Sequence, residues 1–116
     1  MAPWITLGFQ PVRLAKEEPP MPVRLVVTMN AAPGKGAELA DALRQRCAEV
    51  AEEPGCQQFE VFRSAVNPDQ LVLLELWQDQ AALDVHAEAN KRRPPLPEGL
   101  RVGAGEREDY AYSRTR

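Results

Sequence analysis

The stretch Leu71-Val-Leu-Leu-Glu-Leu-Trp-Gln-Asp-Gln-Ala-Ala-Leu-Asp-Val-His86 decides how this chain folds. Its first half, Leu71 to Gln78, is an apolar run of strand length that carries one glutamate and one tryptophan. Asp79 is a good N-cap, and the helix it opens is expected from about Gln80 to Asn90. That helix holds His86, the only histidine of the chain, about two turns in. Glu75 and Trp77 are two residues apart, so on a strand they point to the same face. A carboxylate, an indole and an imidazole are therefore expected to converge on one cavity.

Reading outward, Val23 to Ala31 alternates Val23, Leu25, Val27 and Met29 against Arg24, Val26, Thr28 and Asn30, the period of a strand. Pro33-Gly34 turns the chain, and from Gly36 to Glu53 the residues Leu39, Leu43, Cys47 and Val50 recur at helical spacing. Pro54-Gly55 ends that helix. Cys56 to Ala65 reads as a second strand, with Phe59, Val61 and Arg63 on one face and Glu60, Phe62 and Ser64 on the other. Asn67-Pro68-Asp69 is a turn by composition, so the second and third strands form a hairpin. After a proline-broken loop, Pro94 to Gly99, a last strand is expected near Glu106 to Ser113.

The order β-α-β-β-α-β is the ferredoxin-like, split βαβ arrangement of the α+β class. Two helices cover one face of such a sheet. The third strand is nonetheless apolar on both sides, whereas an antiparallel sheet with one wet face alternates cleanly. The uncovered face needs a partner, and a homodimer joined sheet to sheet is the simplest one.

The 116 residues are expected to hold one domain, 23–116, preceded by a proline-rich extension, 1–22. Within the extension Trp4 to Phe9 can form a short strand or belong to a partly ordered tail, and Met21 is a second possible start. The chain is 44% apolar and 27% charged, ordinary for a globular protein. Its net charge of −3 gives no footprint for nucleic acid or an anionic membrane, and no apolar run reaches the roughly 20 residues of a bilayer span. The start lacks a basic region followed by a long apolar stretch, so a cytoplasmic protein is expected. Cys47 and Cys56 fit neither a redox pair nor a zinc knuckle and are expected as free, buried thiols. With one histidine and dispersed glycines, a metal site, a flavin or a nicotinamide is not expected.

Four features in order carry a family resemblance. They are Pro33-Gly34 after the first strand, Glu53-Pro54-Gly55-Cys56 between helix and strand, Glu75-x-Trp77 on the third strand, and Ala82-Leu83 with His86 on the second helix. Over roughly residues 23–90 the chain resembles the antibiotic biosynthesis monooxygenase (ABM) family, small dimeric α+β-barrel proteins that include quinol monooxygenases. It departs from the family where a second histidine usually follows the first, the sequence here being Asn90-Lys91-Arg92. It also has Leu73 where the branch acting on polyketide aromatics tends to carry asparagine.

The resemblance implies a cofactor-independent monooxygenase that oxidises a small hydroquinone, phenol or anthrone with O2. In that reading His86 is the proton acceptor, because it alone has an unperturbed pKa near neutrality. Glu75 accepts a proton or a substrate hydroxyl, Trp77 stacks on the aromatic ring, and Arg63 stabilises a phenolate. Phe59 and Phe62, with Tyr110 and Tyr112, wall the pocket. Each residue also has a structural reading. Trp77 fills the core, Glu75 pairs with Arg63, His86 is a satisfied histidine, and the aromatic residues are core or dimer contacts. The run Glu106-Arg107-Glu108-Asp109 reads as a solvated strand edge. The rival functions on the same scaffold are a non-oxidative binding protein or isomerase and a haem-binding or haem-degrading protein with His86 as ligand.

Overall fold

A computed structural model of the chain describes residues 21–116. The expected short strand at Trp4 to Phe9, and all of the N-terminal extension up to residue 20, lie outside the described residues. Four strands and two helices follow in the order β1 (Val23–Ala31), α1 (Gly36–Val50), β2 (Cys56–Arg63), β3 (Gln70–Trp77), α2 (Gln80–Asn90) and β4 (Arg101–Ala111). The strands form one sheet in the order β2-β3-β1-β4, with every neighbouring pair antiparallel. This is the ferredoxin-like α+β fold that the sequence pattern calls for.

Both helices lie on one face. The odd-numbered residues of β1 and β3 point to that face: Leu25, Met29, Leu71, Leu73, Glu75 and Trp77 are buried. Leu39, Leu43 and Val50 of α1 and Leu83 of α2 close over them. The main contact of α1 is with β2, while α2 rests on β3. Neither helix covers β4, and all eleven of its residues are exposed. On the opposite face the even-numbered positions Val26, Val72, Leu74 and Leu76 are only half-buried, with Phe62 and Tyr110 exposed beside them.

The ends of the elements follow from local chemistry. The hairpin turn caps α1 from a distance: the Asp69 carboxylate accepts from the backbone N–H groups of Gly34 (2.9 Å) and Gly36 (3.0 Å). Asp79 caps α2, its side chain accepting from Ala82 N at 2.8 Å. The first helix stops at Val50, three residues before the expected Glu53, because the chain already turns there, with Glu53 N–H on the Val50 carbonyl. The breaker Gly55 has φ +82°, and a Cβ there would stand 2.5 Å from that of Ala82. Only glycine lets the turn lie this close to α2.

Two boundaries differ from expectation. Strand β2 ends at Arg63 rather than Ala65, where the hairpin turn begins. Strand β4 begins at Arg101, not near Glu106, and ends at Ala111. Its first half, Arg101-Val-Gly-Ala-Gly105, has the glycines that ordinarily argue against a strand. Here they serve an irregularity: the β1–β4 register shifts between Thr28 and Asn30, opposite Gly105 with φ +87°. A side chain at 105 would run into the Thr28 carbonyl.

Candidate active site

The sheet register brings the polar residues together. In one row across the helix-facing side, Phe59 of β2 lies opposite Glu75 of β3, Glu75 opposite Leu25 of β1, and Leu25 opposite Asp109 of β4. The next row runs Val61, Leu73, Val27 and Arg107. Above these rows α2 lowers His86, and a cavity of about 270 Å³ opens between helix and sheet. Leu25, Val27, Leu83 and Ala87 make its walls apolar, Glu75 and His86 place a carboxyl and an imidazole in them, and Gln80, Asp84, Asn90 and Arg107 complete the lining. A larger surface groove, about 400 Å³, runs between α1 and Pro94–Pro97, but none of the residues lining it is a buried acid or base.

Glu75 is 5% exposed, and its Oε1 accepts from the indole N–H of Trp77 at 2.9 Å. Burial raises the pKa of this carboxyl above the ordinary carboxylate range, opposed by the Trp77 hydrogen bond and by nearby His86 and Arg107. His86 is 8% exposed, and its ring is gripped from several sides. The indole of Trp77 lies 4.7 Å away, tilted by 30°, and the Phe59 ring stands edge-on at 5.6 Å. Nδ1 meets Glu53 Oε1 at 2.9 Å, and Glu53 Oε2 in turn meets Arg93 Nη2 at 2.6 Å.

The expected convergence of Glu75, Trp77 and His86 is present, but with different geometry for the indole. Trp77 is fully buried and lies behind both polar groups rather than on the cavity wall, so it orients them and leaves no face for a ligand ring. Phe59 belongs to the same aromatic cluster, 6.4 Å from Trp77. Arg63 and Phe62 lie elsewhere. Arg63 is exposed at the end of β2, where its guanidinium donates to the Pro68 carbonyl in the hairpin turn, so it neither lines the cavity nor pairs with Glu75. Phe62 points to the other face of the sheet, because its even-numbered position alternates with the odd positions of Phe59 and Val61.

Two residues have roles here that the sequence reading did not assign, Glu53 having been noted only as part of the Glu53-Pro54-Gly55-Cys56 motif. Arg107, in a run that reads as a charged edge, faces the cavity and holds Asp109 through two 2.7 Å bonds. The alternation of charges along β4 was the available signal, since 107 and 109 share a face and 106 and 108 take the other. Glu53 lies in a turn, outside any periodic element, and nothing local points to its partner. Among the described residues no group of three or more His, Cys, Asp or Glu side chains is arranged to hold a metal ion.

The antibiotic biosynthesis monooxygenase family pattern matches residues 22–93, and the chain belongs to that family. The solved structures it resembles include a conserved protein of Methanosarcina mazei, 26% identical with a TM-score of 0.70, the match covering 80% of this chain and 94% of that one. A Shewanella oneidensis protein is 26% identical with a TM-score of 0.65 over 78% and 89% of the two chains. A Pseudomonas aeruginosa protein, at 24% identity and TM-score 0.68 over 84% and 99%, shares the fold. No curated protein matches the chain.

Proposed function

We propose that the protein is a cofactor-independent monooxygenase for a small phenol or hydroquinone, with His86 as the base. The observation that carries the reading is the burial of one imidazole and one carboxyl in the wall of the same small cavity. In the reaction His86 removes a phenolic proton. The electron-rich anion gives one electron to O2, the radical pair joins in a C–O bond, and the peroxide takes the proton back from His86 to give a hydroperoxide. Loss of water then leaves the quinone. One oxygen atom stays in the product, the other leaves in water, and all four electrons come from the substrate.

Each residue has a part in this scheme. The positive charge that His86 gains on taking the proton lies beside the Glu53 carboxylate and the Trp77 ring face, both of which favour it. The Glu75 carboxyl, whose pKa burial raises, stands in the same wall within reach of a substrate hydroxyl. Leu25, Val27 and Leu83 exclude water from the anion. The cavity volume, below the roughly 300–1,000 Å³ usual for drug-sized ligands, favours a one- or two-ring substrate over a haem macrocycle. The half-buried apolar positions Val26, Val72, Leu74 and Leu76 support a homodimer joined through the outer sheet face.

The test is O2 uptake by the purified protein with a panel of hydroquinones, phenols and anthrones, metals chelated, against an autoxidation blank. Uptake that falls tenfold or more in His86→Ala is expected, since general-base assistance is worth about 10²–10⁴-fold. Uptake unchanged in the variant removes His86 from the scheme. No uptake across the panel favours a binding or isomerase role instead.

A further inference from the structure

We infer that Glu53 and Arg93 form a positioning pair that fixes His86 in one tautomer, with the proton on Nδ1 and the lone pair on Nε2. The three side chains come from separate segments: Glu53 from the turn after α1, His86 from the middle of α2, and Arg93 from just beyond its end. They meet where little water reaches, with 14%, 9% and 18% of their side-chain surfaces exposed. Arg93 Nη2 is 2.6 Å from Glu53 Oε2, and its Nε is 3.6 Å from Glu49 Oε1.

The chemistry follows from what each group can donate. A guanidinium stays protonated in proteins, and the Glu53 carboxylate is its ion-pair partner at 2.6 Å. An ionised carboxylate only accepts hydrogen bonds. The ring nitrogen 2.9 Å from Glu53 Oε1 must therefore be the donor, and a neutral imidazole has only one N–H to give. Nε2 is left bare. A bare Nε2 is what a base needs, and an imidazole in the other tautomer has its lone pair locked against the turn. Arg93 matters because it holds the Glu53 carboxylate in place against the ring. The tautomer stands on this geometry alone; its catalytic consequence rests on His86 being the base.

The single histidine makes the experiment direct, because ¹⁵N-histidine labelling of the full chain gives the signals of one ring. Long-range ¹H–¹⁵N correlation, taken where the ring is neutral, distinguishes a protonated Nδ1 from a protonated Nε2. Wild type is expected to show one form, protonated at Nδ1. Glu53→Gln keeps the size of the side chain but can donate as well as accept, and its ring is expected to shift towards the Nε2–H form. Glu53→Asp, tested beside it, is expected to retain the wild-type form, and amide-proton dispersion checks the fold of both. A wild-type ring protonated at Nε2, or an unchanged tautomer in folded Glu53→Gln, overturns the inference. Turnover separates it from the functional reading. A switched tautomer with kcat down about tenfold or more, and KM little altered, upholds both. A switched tautomer with unchanged turnover upholds the lock and removes His86 as the base.

Discussion

Trp77 binds Glu75 through its indole N–H and supports His86 with its ring face, so one buried side chain orients both polar groups of the cavity. The arrangement depends on the strand period: the two residues are neighbours on one face of β3, with Leu76 between them turned the other way. Replacing Trp77 by Phe keeps a ring and deletes the donor. Urea unfolding is expected to show a loss of about 1–3 kcal/mol, the cost of an unpaired buried polar group. Oxidation of the best substrate should fall with it, and an unchanged rate would mean that the indole is filling only.

Glu75 makes stability fall with pH. Its folded-state pKa is raised above the ordinary 4.5 by burial, so the folded protein holds this proton where the unfolded chain has released it. The contribution is greatest below the unfolded value and is lost as pH rises through the interval up to the folded one. Glu75→Gln cannot ionise, so its melting temperature should lack this decline and gain on wild type from about pH 4.5 upwards. Parallel melting curves for the two proteins across the interval would show that Glu75 titrates normally.

The outer sheet face gives a test of assembly that leaves the cavity alone. Leu74 is half-buried there, opposite Val26 on one side and Glu60 on the other. A lysine at 74 can pair with Glu60 within the chain while placing charge on an apolar surface. Sedimentation velocity is expected to give a dimer for wild type and a monomer for Leu74→Lys, with unchanged far-UV circular dichroism. A monomeric wild type would refute the sheet-to-sheet homodimer.

Both thiols should be slow to react. Burial pushes the Cys47 thiol up to about 11, against the lowering effect of a hydrogen bond with the Val61 backbone, and raises Cys56 as well. At pH 8 only about one Cys47 in a thousand is then a thiolate, against about a quarter of a free cysteine. Iodoacetamide followed by mass spectrometry should find the native protein almost unmodified at Cys47 and the urea-unfolded chain alkylated at both cysteines. Both thiols are free but half-buried rather than buried as expected, and rapid native alkylation of Cys47 would contradict its partly covered place between α1 and β2.

The parts of the fold that were legible in the sequence are those whose signal is local. The alternation in β1, the 3.6-residue spacing of Leu39, Leu43 and Val50, and the Asp79 cap each state an element within a few residues. They sufficed to bring Glu75, Trp77 and His86 to one place. What was hidden depends on register or distance. Arg63 shares the cavity face of β2 but lies at its far end, beyond the helices, and only the pairing with Leu71 shows it. Glu53 acts across a turn on a helix that begins 27 residues later, a contact that no periodicity encodes. The glycines of β4 argue against a strand until the Thr28 carbonyl opposite them explains their presence.

The sheet order also has a consequence for how the chain is made. Of the described strands β1 leaves the ribosome first, yet it lies between β3 and β4 and pairs along one edge with residues as late as Ala111. The chain emerging during translation can form α1 and the β2–β3 hairpin from neighbouring residues. Strand β1 gains its second neighbour only once residues 101–111 have been made. Such distant pairings are slow to close and leave strand edges open meanwhile. Truncation within β4 should therefore leave β1 with an open edge and a chain prone to aggregate, even with every residue of the helices intact.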